Sequence, residues 1–410
     1  MQSKNIVIIA TLDTRGKAAE YFRDRIKERG HNPIVIDVCT VLKNPPFKPD
    51  ITHEKVAEAI GKSIKEIASM EEAEAISVMA EGTSNIVQGL LSSGKLDGIV
   101  GLGGSMGTSL GLKVMKELPV NIPKLMMSTI TFTALVTPES VAMDQIMMQT
   151  ITHSCGVDRI TRMVLDRAAG AICGMVEAQG EEKAEKPVIA ITTLGASVFS
   201  HADYCTQMLA EKGYDPAVFH SIGMKTCETL IRQGYIAGIL DFTMFELTNY
   251  VCGGVIKGAK EKLTAASEEG IPQVVAPGAI SWFQWTGAID TLPAKYKNRK
   301  VRWHNPLTAQ VPVSKEEKVK IAKLMADRLN KAKGPTALLI PLRSFSRLDE
   351  KGTPMYDPEG RRRFIKVLRE TINADVVKLI ELDVSINDPA FSERAVTLLD
   401  QMMKEAAKRM

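Results

Sequence analysis

At 410 residues the chain is long enough for more than one domain, and 45% hydrophobic with 24% charged residues is the composition of an ordinary globular protein. The net charge of +4 is spread along the chain and only 5% of residues are aromatic, which argues against a nucleic-acid partner held by basic patches or base stacking. No signal peptide or transmembrane run is readable, so a cytoplasmic protein without membrane partners is expected.

Short apolar runs alternate with amphipathic stretches almost throughout. Strands are predicted at 5–10, 32–38, 75–78, 98–102 and 124–127, then at 188–192, 217–220, 238–240, 273–276, 337–340 and 376–381. Amphipathic helices are predicted at 17–29 and 55–69, with a further helix from about Ser109. Several strands are apolar without alternation, the signature of a parallel sheet covered on both faces. The fold class is therefore α/β, of doubly wound type.

A charged run that ends in proline, 178–187, marks a domain boundary. It separates a domain of residues 1–180 from one of 187–410, whose last helices are free to return to the first. The halves echo one another. Ile8-Ile-Ala-Thr-Leu12 matches Ala190-Ile-Thr-Thr-Leu194, and Asp97-Gly-Ile-Val matches Ala237-Gly-Ile-Leu. Asn121-Ile-Pro-Lys likewise matches Gly270-Ile-Pro-Gln. Matches in one order point to two tandem Rossmann-like domains. The cysteines, at 39, 155, 173, 205, 227 and 252, show no Cys-x-x-Cys and no metal-ligand spacing, and read as buried thiols in a reducing compartment. His153 and His201 also lack partners at metal-binding spacing.

The richest stretch is Gly101-Leu-Gly-Gly-Ser-Met-Gly-Thr108, four glycines within seven residues at the end of a strand. Glycines there let backbone amides approach an anion, and a following helix adds free N–H groups. A tight packing turn is the alternative. No lysine stands where a Walker loop needs one, and the spacing only approaches Gly-x-Gly-x-x-Gly. Thr11-Leu-Asp-Thr-Arg-Gly16 ends the first strand in the crevice such folds use. There Asp13 is a candidate for magnesium or a ribose hydroxyl and Arg15 for phosphate or carboxylate, with helix capping by Asp13 or Thr14 as the plain alternative. Glu81, placed after the strand at 75–78, is a candidate site carboxylate or a first-turn helix charge. Ser128 and Thr129 end another strand and offer hydroxyls or a simple turn.

In the second half the glycine loop is replaced by Asp241-Phe-Thr-Met-Phe-Glu246. His220 ends a strand, and Trp303-His-Asn-Pro306 reads as a polar turn containing His304. The loop at 341–358 carries Arg343, Asp349 and Asp357 and is long for a mere connection. Arg361-Arg-Arg363 lies on a predicted helix, as a solvated face. No Ser-His-Asp order or nucleophile elbow is present.

These motifs, with Met127-Ser-Thr129, Val218-Phe-His220, Gly253-Gly254, the 270–278 segment, His304-Asn-Pro306, Leu342-Arg343, Tyr356-Asp-Pro358 and Ile386-Asn-Asp-Pro389, resemble a known family over almost the whole chain. It is the two-domain family typed by the ATP-binding N-terminal region of the tomato mosaic virus resistance protein. The resemblance implies two Rossmann-like domains, ATP binding in the typed member, and multimeric assembly. The chain departs from the family pattern in three places. Ile130-Thr-Phe-Thr stands where the family has Ala-Ser-Gly-Asp, Ile222-Gly-Met-Lys225 where it has Gly-Thr-Gly-Gly, and Thr243-Met-Phe-Glu246 where it has three threonines before the glutamate.

The leading expectation is a homo-oligomeric protein that binds ATP with magnesium in a cleft between the domains. Gly103, Gly104, Ser105, Gly107 and Thr108 would cradle phosphate, with Asp13, Thr14, Arg15, Glu81, Ser128 and Thr129 alongside. The second domain would present His220, Glu246, His304 and Arg343 to a small molecule. The alternatives are a metabolic enzyme that uses the loop for a small phosphorylated or carboxylate substrate, and a regulatory binding module without turnover.

Overall fold

The computed structural model describes residues 2–137, 139–150, 156–178, 186–195, 198, 200–221, 224–256, 259–287 and 289–408. His153, Cys155, Ile222, Gly223 and most of the expected boundary segment lie outside the described residues, as does the side chain of His201. The chain forms two compact units, Met1–Glu182 and Lys183–Met410.

In the first unit β1 (Asn5–Ala10), α1 (Leu12–Glu28), β2 (Asn32–Asp37), α2 (His53–Glu58), α3 (Ile64–Ala68) and α4 (Glu72–Ser92) lead to β3 (Gly98–Gly103). Then follow α5 (Ser105–Lys116), β4 (Lys124–Ser128), β5 (Gln145–Gln149) and α6 (Arg159–Glu177). The five strands are parallel, in the order β2-β1-β3-β4-β5. The unalternating run of β1 is explained by its two cores: Ile6, Ile8 and Ala10 pack with α1 and α6, while Val7 and Ile9 pack with α4 and α5.

The second unit contains β6 (Val188–Thr193), α7 (Ser200–Glu211), β7 (Asp215–His220), α8 (Met224–Arg232), β8 (Gly238–Thr243), α9 (Phe245–Cys252), α10 (Ala265–Glu269) and β9 (Gln273–Gly278). It continues through β10 (Trp282–Thr286), α11 (Ala294–Lys297), β11 (Arg302–Asn305), β12 (Thr308–Pro312), α12 (Lys315–Leu329), β13 (Thr336–Pro341), α13 (Pro358–Thr371), β14 (Val377–Leu382) and α14 (Pro389–Ala407). Six strands form a parallel sheet in the order β14-β13-β9-β8-β6-β7. The first four strands of each unit thus share one arrangement, second-first-third-fourth, and the α/β expectation of tandem parallel-sheet domains is met. Helix α14 packs into the core of its own unit, with Val396, Leu399 and Met402 joining Ile189, Ile191 and Leu209.

Several expected elements differ. Residues 75–78 are helical, not extended: Ala75, Met79, Thr83 and Val87 recur every four residues and are buried along α4. The helix expected at 55–69 is two short ones. Gly61 takes φ +70, and Ser63 then starts α3 with a reciprocal capping box to Glu66. Helix α1 begins at Leu12 behind Thr11, so neither Asp13 nor Thr14 is its cap. Helix α5 begins at Ser105, four residues before the expected start. Strands β10, β11 and β12 form an antiparallel sheet that the apolar runs did not reveal. His304 therefore sits on a strand, beside a register shift between Trp303 and Asn305, and not in a turn.

The turn from β3 into α5 has little room. A Cβ on Gly103 would lie 2.4 Å from the Thr108 backbone nitrogen, whereas one on Gly107 would meet nothing nearer than the Leu102 carbonyl oxygen at 3.4 Å. Gly103→Ala is expected to cost about 1–3 kcal/mol in urea unfolding. Gly107→Ala should be neutral or stabilise by less than about 1 kcal/mol, because alanine favours helix. Equal effects of the two substitutions would contradict this account of the turn.

Candidate functional site

In a sheet of this order the chain leaves β1 and β3 in opposite directions, and a crevice opens at their carboxyl ends. A cavity of about 650 Å³ lies there in the first unit. It is lined by Thr11, Asp13, Thr14 and Arg15 from the start of α1 and by Gly104, Ser105, Met106 and Gly107 from the start of α5. Thr129 closes one side after β4, and Val41, Ile67, Met70 and Ala75 supply an apolar wall.

The two helix starts differ in what they offer. At α1 the Leu12 N–H donates to Asp37 Oδ1 (3.1 Å) and the Asp13 N–H to Cys39 Sγ (3.2 Å), while Thr14 and Arg15 bond the Thr11 carbonyl. Its donors are taken. At α5 no side chain caps the helix, and the first N–H used within it is that of Thr108, to Gly104 O at 2.9 Å. The N–H groups of Ser105, Met106 and Gly107 meet no acceptor among the described residues. They sit at the positive end of the helix dipole.

Arg15 is 3% exposed, yet its guanidinium reaches this point. A Cβ on Gly104 would stand 3.2 Å from an Arg15 Nη and 3.9 Å from Thr129 Oγ1. Gly104 keeps a negative φ of −83, so backbone conformation does not call for glycine there, and a side chain would crowd Arg15. Arg15, Gly104 and Thr129 thus converge on one spot in front of the α5 donors.

Other expected residues have different tasks. Thr108 Oγ1 and Ser128 Oγ bond each other at 2.7 Å, both buried, and Ser128 Oγ also accepts the Ile130 N–H. These hydroxyls tie β4 to α5 and do not line the cavity. Glu81 lies in the middle of α4, exposed and outside the cavity lining, a consequence of the misread strand. One residue group escaped the sequence reading. Asp37, Cys39 and His53 are buried together, with potential ligand atoms within 4.8 Å of one another.

The four second-unit candidates do not form one constellation. His220 ends the edge strand β7 and is exposed, whereas Arg343 follows β13, four strand steps away, or roughly 19 Å at the usual strand spacing. Arg343 is exposed and paired with Asp383 at 3.2 Å. His304 is exposed on the antiparallel sheet. In the loop that follows β13, Asp349 is a buried turn clamp accepting from Phe345 N, Ser346 N and Ser281 Oγ, and Asp357 caps α13 while pairing with Lys318 at 2.6 Å. Arg361 is itself buried near Asp349, so the arginine run is only partly a solvated face.

Glu246 alone is buried, at the start of α9. It belongs to a charged group the sequence did not disclose, because its members are spread over 35 residues and meet only in the fold. Lys262 Nζ donates to Asp241 Oδ1 at 2.6 Å, and Thr192 Oγ1 donates to the same oxygen at 2.8 Å. Glu228 accepts the Leu263 and Ala265 N–H groups, each at 2.8 Å, and holds Leu263 in the left-handed region at φ 69. Burial opposes the Lys262 charge, but Asp241, Glu246 and Glu228 outweigh it and hold its pKa above the usual value. Burial pushes Glu228 up to about 7 and Glu246 up to about 8. Neither oxygen of Glu246 finds a hydrogen-bond partner among the described residues outside its own.

Glu246 is therefore mainly protonated at neutral pH, and it contributes to stability accordingly. The contribution of a carboxyl raised on folding is full below the unfolded value of 4.5 and is lost as pH rises through about 8. Stability to urea should fall between about pH 5 and pH 9 by on the order of a few kcal/mol. Glu246→Gln should flatten that decline, leaving the smaller part due to Glu228. An unchanged slope would overturn the assignment.

Relatives share most of this chain. A protein of Clostridium tetani is 36% identical over 407 residues, covering 98% of this chain and 100% of its own length. One of Brucella suis is 34% identical over 406 residues, covering 98% and 96%. The ToMV resistance protein Tm-1 of Solanum lycopersicum is 31% identical over 334 residues, 78% of this chain and 44% of that protein. No helix among the described residues is long and apolar enough to cross a membrane. Two family models cover the units in turn, the N-terminal domain of uncharacterised protein family UPF0261 over residues 4–181 and its C-terminal domain over residues 186–403. The chain belongs to this two-domain family.

Proposed function

We propose that the first unit binds a nucleotide, ATP accompanied by magnesium, in the cavity at the carboxyl ends of β1 and β3. The observation that carries this reading is the uncapped start of α5 with the Arg15 guanidinium beside Gly104. Three unused backbone N–H groups and a guanidinium match the oxygens of a phosphate. The wall of Val41, Ile67, Met70 and Ala75 suits the base and sugar, and about 650 Å³ falls in the usual range for small-molecule sites, about 300–1,000 Å³. A small phosphorylated or carboxylate acid would use the same donors and leave that wall uncovered.

Asp13 on the cavity wall is the candidate carboxylate for magnesium, a hard cation that takes oxygen ligands. ATP held here would supply a phosphoryl or adenylyl group for transfer, and the chain's own residues bind and orient it. We also propose a cytoplasmic homo-oligomer. The five described cysteines are free, buried thiols, as a reducing compartment allows, and the assembly rests on the family resemblance.

A thermal-shift series on the full chain tests this reading. ATP with magnesium at a hundredfold excess over Kd is expected to stabilise by about 2.7 kcal/mol, a rise in Tm of several degrees. Inorganic phosphate and phosphorylated acids should give less. Gly104→Val should abolish the ATP shift, because its side chain enters the space before Arg15, and Arg15→Gln should weaken binding tenfold or more. No shift with any nucleotide would overturn the proposal, and a larger shift with phosphorylated acids would replace it with a small-metabolite site. Phosphate release on adding a substrate would exclude a purely regulatory module.

A further inference from the structure

Beneath the cavity wall, three elements bring Asp37 from the end of β2, Cys39 from the loop after it, and His53 from the first position of α2 into one buried cluster. Their potential ligand atoms lie within 4.8 Å of one another, and the residues are 0%, 1% and 5% exposed. We infer that Asp37, Cys39 and His53 form a binding site for a borderline-soft divalent cation, for which zinc is the ion this N, S and O donor set suits. The site is independent of the nucleotide reading.

Each ligand already has the supporting contacts that metal sites use. Asp37 Oδ1 is anchored by the N–H groups of Leu12 and Cys39, both at 3.1 Å, while Oδ2 is bonded to His53, a contact that a cation between the two would replace. Oδ2 faces His53 Nδ1 at 2.8 Å, and the far nitrogen of that ring, Nε2, lies 3.1 Å from Glu54 Oε1. A carboxylate behind the imidazole fixes its tautomer and strengthens it as a ligand. The Asp13 N–H points at Cys39 Sγ at 3.2 Å, a donor that favours a thiolate. A cation about 2.0–2.3 Å from each ligand requires ligand spacings of roughly 3.3–3.8 Å, so the 2.8 Å contact between Asp37 Oδ2 and His53 Nδ1 opens on binding, within the 4.8 Å span of the cluster.

With three protein ligands the fourth position is open, as in zinc sites that keep a water. Asp13 lies beside the cluster, its Oδ1 accepting from Cys39 Sγ at 3.2 Å, and lines the cavity. On binding, the metal–sulfur bond forms as the S–H bond breaks, and one proton is released to solvent.

Cobalt is the spectroscopic probe, added to chelator-treated full chain. The expected result is one equivalent bound, with a thiolate-to-cobalt charge-transfer band that zinc bleaches. Cys39→Ser should lose the band, while Cys173→Ser should keep it. Glu54→Gln replaces a side chain half exposed at the surface and leaves the fold intact, yet it should weaken cobalt binding about tenfold through His53. Absence of the band in the native chain, its survival in Cys39→Ser, or unchanged affinity in Glu54→Gln would each overturn the assignment.

Discussion

The buried carboxylate of Asp37 decides which helix start in the first unit remains open. It is 0% exposed, and its two oxygens are committed to the Leu12 N–H, the Cys39 N–H and His53. A charge buried this deeply persists only when hydrogen bonds replace its lost hydration, and here they do. One of these bonds takes the Leu12 N–H, and Cys39 Sγ, whose own N–H Asp37 holds, takes the Asp13 N–H, so the start of α1 is saturated. Helices α1 and α5 flank one crevice, and both would attract an anion by dipole and free N–H groups. With α1 satisfied from within the fold, the attraction is concentrated on α5, where Gly104 leaves room and Arg15 adds positive charge.

The second unit repeats the strand order and reverses the chemistry. Its corresponding switch point lies at the carboxyl ends of β6 and β8, and β8 leads into α9 with Glu246 in the first turn. Where the first unit has unused N–H groups behind glycine, the second has a buried carboxyl over the Lys262–Asp241 pair. An anion placed there would meet an acid, not a cradle. The two units therefore share the sheet, whose strands need only apolar side chains on both faces, and differ in the loops after the strands.

Legibility in the sequence followed the same division. Most parallel strands were readable because a strand buried on both faces must be apolar at every position, as Ile6 to Ala10 are, whereas β5, with glutamine at both ends and no fully buried residue, was missed. Residues 75–78 misled because four apolar residues fit either period, and only the recurrence to Met79, Thr83 and Val87 separates helix from strand. The start of α5 was placed too late because Ser-Met-Gly-Thr is a poor helix former in isolation, although serine and glycine are well suited to a first turn. The antiparallel sheet of β10–β12 was missed because its strands carry exposed polar residues such as Arg302, His304 and Asn305. Asp37–Cys39–His53 and Glu228–Lys262 were invisible for another reason. Burial, not spacing, makes those residues partners, and burial is a property of the finished fold.

The glycine-rich stretch itself shows why a motif is not yet a site. Gly101 and Gly111 lie against Met126, whose sulfur would be 2.4 and 2.9 Å from an added Cβ, and both serve packing. Gly103 is required by the backbone of the turn that follows it. Gly107 would tolerate a side chain in ordinary contact. At Gly104 alone among the four the nearest neighbour of an added Cβ is a charged group, the Arg15 guanidinium at 3.2 Å. Of the four glycines, three therefore have separate causes and Gly107 has none, and one of the four speaks for a ligand. What raises the stretch above a packing turn is the helix that begins at once behind it, uncapped, with a guanidinium drawn up from a buried position to face it.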